Sequence, residues 1–105
     1  MAWFVLILAG LFEIVWAYSM KLSEGFTKLT PSLVTLVFMI LSFGLLAYAM
    51  RTLPLGTAYT IWTGIGAIGS FAVGIFILGE PMTAMRMFAA VLIVSGLILM
   101  KLSSS

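Results

Sequence analysis

Residues 1–20 read MAWFVLILAGLFEIVWAYSM, a run with one charged side chain, Glu13, near its middle. About 20 apolar residues cross the hydrocarbon core of a bilayer as a helix, so this run has the length of a membrane span and carries its carboxylate close to the membrane centre. A charged group at that depth costs about 2.5 kcal/mol or more on insertion scales, which makes Glu13 a candidate functional group.

The rest of the chain continues in the same style. Of its 105 residues, 64% are hydrophobic and 8% charged, against about 45–50% apolar in soluble domains. The other charges, Lys21, Glu24, Lys28, Arg51, Glu80, Arg86 and Lys101, fall between apolar runs or at their ends. The runs predict four helices at about 2–20, 31–50, 57–78 and 84–101. Sustained period-two alternation is missing, so helices rather than barrel strands satisfy the backbone in lipid. The expected fold class is an all-α membrane protein, with residues 1–105 forming a single four-helix transmembrane domain. The fourth run is bracketed closely by Arg86 and Lys101 and relies on long side chains snorkelling to the headgroups.

The connections fit that division. The segment from Lys21 to Thr30 carries charges and Gly25, with Pro31 suited to the first turn of the second helix. Pro54 and Gly56 mark the second connection, and Gly79 to Pro81 the third. Short connections predict antiparallel neighbours and both termini on one side. The first run lacks a basic leader and a small-residue cleavage site, so it is expected to remain in the membrane.

Several chemistries drop out. The chain has neither Cys nor His, which removes disulfides, thiolate nucleophiles and His-based metal or relay sites. No cofactor or metal is expected. No nucleophile, base or phosphate-binding loop accompanies the buried acid, so hydrolysis is unsupported and the chain is not expected to be an enzyme. The eight methionines read as packing side chains.

A cation pocket can be assembled around Glu13. Residues three and four positions away share its helix face, namely Ala9, Gly10, Trp16 and Ala17. Ser42 is an isolated hydroxyl in the second run, with Phe38, Met39 and Leu46 on its face. Tyr59 shares a face with Trp62, Thr63 and Gly66 in the third. These supply an anion, hydroxyl and indole donors, and aromatic faces that attract cations. Uneventful readings stand beside this one: Ser42 bonded to a carbonyl of its own helix, Tyr59 and Trp62 as interface anchors of the kind expected of Trp3, and Glu13 as a polar contact between helices.

Small residues supply a second pattern. Gly66, Ser70 and Gly74 recur every four positions and form a stripe for close helix approach, while Gly64 and Gly66 are the best hinge candidates. In the fourth run Ala89 and Gly96 share a face that can pair with another copy. Lys/Arg counts set orientation. Here one membrane side would carry Arg51, Lys101 and the terminal amine, and the other Lys21, Lys28 and Arg86. Such a balance allows insertion in both orientations, and two opposed copies can pair as an antiparallel dimer.

Taken jointly, these residues resemble the small multidrug resistance transporters over essentially the whole chain. The resemblance rests on Gly10-x-x-Glu13-x-x-Trp16-Ala17, on the loop Lys21-Leu22-Ser23-Glu24-Gly25-Phe26-Thr27, and on Leu53-Pro54-Leu55-Gly56-Thr57-Ala58-Tyr59-Thr60-Ile61-Trp62-Thr63-Gly64-Ile65-Gly66. Trp16, three residues after the acid, looks like the guanidinium-exporter branch. Tyr18 and the loop from Met20 to Thr27 look closer to the multidrug branch, which keeps export of quaternary ammonium and other hydrophobic cations as the alternative.

The resemblance implies a dual-topology antiparallel homodimer in the bacterial cytoplasmic membrane that exchanges protons for a guanidinium-type cation. It implies that Glu13 of both copies binds proton and substrate at a shared site, that Trp16 and Ser42 orient the carboxylates, and that Tyr59 and Trp62 line the pocket. Gly10, Phe38, Met39 and Thr63 complete the expected lining. Expected partners are the cation, protons, membrane lipid and a second copy, with no nucleic acid. A noncatalytic assembly subunit and a passive cation channel are the competing classes.

Overall fold

The computed structural model describes residues 1–103. It has four helices, α1 (Ala2–Leu22), α2 (Leu29–Ala49), α3 (Leu55–Phe76) and α4 (Ala84–Ser103), each long and apolar enough to cross a membrane.

The ends differ by one or two residues from expectation, for local reasons. α1 runs past Met20 because Lys21 and Leu22 are good helix formers and a lysine at the headgroups breaks nothing. It stops at Ser23, whose hydroxyl donates to the Met20 carbonyl (2.7 Å) and accepts the Phe26 amide (3.0 Å). Glu24, Gly25 and Phe26 then take φ of 50°, 76° and 67° in succession, a left-handed turn that reverses the chain. α2 begins at Leu29, with Pro31 third in the helix, still among the first-turn positions whose N–H has no helical acceptor. Pro54 flanks α3 in an extended conformation, so that helix starts at Leu55. It ends at Phe76, where the Glu80 amide turns back to the Gly74 carbonyl (2.8 Å) around Gly79 at φ 73°. Thr83 caps α4 by accepting the Arg86 amide (3.2 Å).

α1 lies centrally against both α2 and α3, while the backbone of α4 approaches α3 alone. The chain measures 42 × 35 × 16 Å, a slab little thicker than one helix of about 10–12 Å. Its buried apolar side chains, Val5, Leu6 and Ala9 of α1, Leu46 and Ala49 of α2, and Ala58, Ile61 and Trp62 of α3, form one cluster. Glycine lets the helices close: a Cβ on Gly10 would run into Ile65, and one on Gly64 into Leu97 of α4. α4 buries none of its residues, so Ala89 and Gly96 both stand on the outside.

The membrane faces are identifiable from their side chains. At one end the Lys101 ammonium sits 4.4 Å from the centre of the Trp3 ring, and Met1 shares a cleft with Tyr48 and Arg51. At the other, Lys28 pairs with Glu24 (3.6 Å) and Arg86 with Glu80 (3.7 Å). Helices therefore alternate in direction, with both ends of the described chain on the Trp3 side.

Candidate functional site

Ser42 ties three helices together. Its hydroxyl is fully buried and donates to the Ala9 carbonyl of α1 (2.7 Å), while accepting the indole N–H of Trp62 from α3 (2.9 Å). The bond crosses to α1 rather than returning to α2, because the small methyl of Ala9 lets the hydroxyl reach the backbone. Ala9 is four residues before Glu13, so its carbonyl is also the one the Glu13 amide meets within the helix. The serine thus fixes α1 at the turn that carries the acid. Trp62 is only 6% exposed, which separates it from a headgroup anchor.

Glu13 itself reaches toward α3. Its carboxyl lies over Gly66, where any Cβ would collide with it. Gly66, expected as a hinge, is the seat of the carboxylate, and α3 passes through Gly64 and Gly66 as uninterrupted helix. Oε1 of Glu13 and Nε1 of Trp16 are the two buried side-chain polar atoms that have no hydrogen-bond partner among the described residues. They are three residues apart on one helix face, an acceptor beside a donor. Buried polar groups are normally paired, so this coincidence makes the spot the candidate binding site.

Aromatic rings surround the three-helix junction. Trp16 meets Phe43 edge-on (6.2 Å between centres), Phe43 meets Trp62 (5.5 Å), and Trp62 meets Tyr59 (5.5 Å). Phe43 joins the two tryptophans and was not singled out in the sequence. The available signal was its position four residues after Met39, on the same side of α2. Phe38 packs edge-to-face on Phe12 (5.2 Å), and Met39 is partly buried one turn before Ser42.

Not every expected lining residue joins this cluster. Gly10 is covered by Ile65. Thr63 is exposed on the other side of α3, in a groove of about 490 Å³ shared with Tyr59, Gly64, Gly96 and Leu97. That groove is the larger space, but it lacks a charged side chain; Glu13 does not line it. Tyr59 borders both regions and is about half exposed. No cluster of residues able to hold a metal occurs among the described residues.

Comparison with known proteins bears on this arrangement. Residues 1–93 match the family model described as Small Multidrug Resistance protein. A protein of Citrobacter freundii named guanidinium exporter is 53% identical over 104 residues, covering 99% of each chain. Proteins of the same name from Escherichia coli (strain K12) and Salmonella typhi are 52% and 51% identical over the same share of their lengths. Four spans, an acid within the first of them and similarity along nearly the entire sequence agree: the chain belongs to the small multidrug resistance family.

Proposed function

We propose that this protein exports guanidinium or small substituted guanidinium cations in exchange for protons. The observation that carries the reading is the pair of buried, unpartnered groups, Glu13 Oε1 and Trp16 Nε1. Similarity to relatives named guanidinium exporter, at 53% identity, supports the choice of substrate. The four spans and the bacterial family place the chain in the inner membrane.

Guanidinium is planar and rich in N–H donors, so carboxylates accept paired, nearly coplanar hydrogen bonds from it. Two Glu13 carboxylates, one from each copy of an antiparallel dimer, would grip the ion from opposite edges. The slab-like chain leaves the acid without a polar partner of its own and supports completion of the site by a second copy. In the dimer the Trp16 indole N–H would hold a carboxylate oxygen, and Ser42 sets the position of the acid's helix through the Ala9 carbonyl. Tyr59, Phe43 and Trp62 offer ring faces to the cation. The exposed Ala89 and Gly96 stripe on α4 is available for helix pairing between copies.

Coupling follows from sharing one charge. A protonated carboxyl offers a cation no counter-charge, and two bare carboxylates in lipid are unfavourable, so protons and substrate compete for the site. If the site changes sides readily only when occupied, a proton gradient drives the cation outward. Gly64 and Gly66 are where α3 would bend in that change.

Proteoliposomes with the membrane potential clamped test the reading. Guanidinium should accumulate toward the acidic compartment against its own gradient, and the Glu13→Gln variant should abolish this while still forming dimers. Flux that only runs down the guanidinium gradient would indicate a channel; loss of dimers in the variant would indicate an assembly role.

A further inference from the structure

The two membrane faces of the chain treat their cations differently. On one face two of the three cations, Lys28 and Arg86, each have a carboxylate within 3.6–3.7 Å. On the other, Arg51 lies over the Tyr48 ring (5.5 Å) and Lys101 over the Trp3 ring (4.4 Å). The chain has three acidic side chains, Glu13, Glu24 and Glu80, and none is at this end. A ring face orients a cation but does not neutralise it. The charge of Lys101 is therefore uncompensated by any acidic side chain.

Below Lys101 the surface is concave. A groove of about 270 Å³ runs between α1 and α4, floored by Ile61 and Ile65 of α3 and walled by Ile7 and Leu97. Trp3 and Lys101 stand at its mouth, and the Trp3 indole N–H donates to no acceptor among the described residues. A narrow apolar trough that opens on an ammonium and a free indole N–H at the headgroup level has the form of one phospholipid. An acyl chain would fill the trough, and a phosphate would take both donors.

We propose that the groove between α1 and α4 is a binding site for an anionic phospholipid, its phosphate held by Lys101 and Trp3. Charge selects the headgroup: a zwitterionic lipid brings its own ammonium into competition with Lys101, whereas phosphatidylglycerol does not. The site belongs to a single chain and does not depend on the exported substrate. In an antiparallel pair each leaflet would meet one copy of it.

The full chain in lipid nanodiscs tests this through fluorescence quenching by brominated acyl chains. The Trp3 contribution is obtained as the difference between the wild type and Trp3→Phe. Brominated phosphatidylglycerol should displace unlabelled phosphatidylcholine at Trp3 about fivefold more effectively than brominated phosphatidylcholine does, the ratio that about 1 kcal/mol per lysine provides. Lys101→Gln should bring the ratio near one, and Lys101→Arg should keep it. High salt should weaken the preference in the wild type, a measurement that needs no variant. Equal quenching by the two lipids in the wild type, or a preference unchanged in Lys101→Gln, would overturn the assignment.

Discussion

The indole of Trp62 in α3 donates to the hydroxyl of Ser42 in α2, and that hydroxyl donates to the α1 carbonyl one turn before Glu13. One oxygen thereby links three helices at the level of the acid. The two bonds have ordinary lengths, 2.7 and 2.9 Å, and are buried among the three helices. The acid's helix therefore cannot rotate or slide without breaking a bond that has no solvent substitute.

Replacing Ser42 by Ala removes that link and leaves the Trp62 N–H buried without an acceptor. Within membranes such bonds are worth about 1 kcal/mol. Ser42→Ala should lower thermal stability by that modest amount but reduce guanidinium transport severely. Thermal unfolding in detergent alongside flux in proteoliposomes checks both. A loss of transport no larger than the loss of folded protein would show that the serine only holds the fold.

Gly66→Ala should abolish guanidinium binding, since its Cβ would occupy the position of the Glu13 carboxyl. Gly44→Ala is the control: open space surrounds that position, and alanine favours a helix by about 1 kcal/mol. The control should be as stable as the wild type or more so, with binding unchanged. Equal binding by both variants would remove Glu13 from the face of Gly66.

Guanidinium and its small substituted forms should outcompete tetraalkylammonium ions of similar size. Planar N–H donors match a pair of carboxylates, while a tetraalkyl ion offers only charge and apolar surface. A transport panel under one fixed pH gradient gives the order. The reverse order would assign the chain to the multidrug branch.

Much of the fold was legible because lipid is a strict solvent. Twenty-residue apolar runs bounded by lysine, arginine, proline and glycine leave little freedom, and four helices appear where four runs were read. Their ends were less legible, since α2 and α3 start where the backbone leaves the extended conformation of Lys28 and Pro54, which hydropathy does not register. Among site residues, Glu13 and Ser42 stood out as polar groups in apolar runs. The direction of the Ser42 bond did not, because periodicity within one helix says nothing about the neighbouring backbone that receives it. The second use of Gly66 was hidden for the same reason: only the opposing helix reveals that its missing side chain makes room for a carboxylate. Phe43 was hidden among ordinary lipid-compatible side chains and gains meaning only from the tryptophans on either side.

Competition between proton and cation for Glu13 is the centre of the account, and equilibrium binding of guanidinium as a function of pH measures it most directly. Calorimetric titration of the reconstituted protein should show affinity falling as pH is lowered through the range in which Glu13 takes up protons, approaching tenfold per pH unit for each proton displaced. Glu13→Gln should show no specific binding at any pH. Guanidinium affinity that stays constant across that range, or survives in Glu13→Gln, would contradict the account.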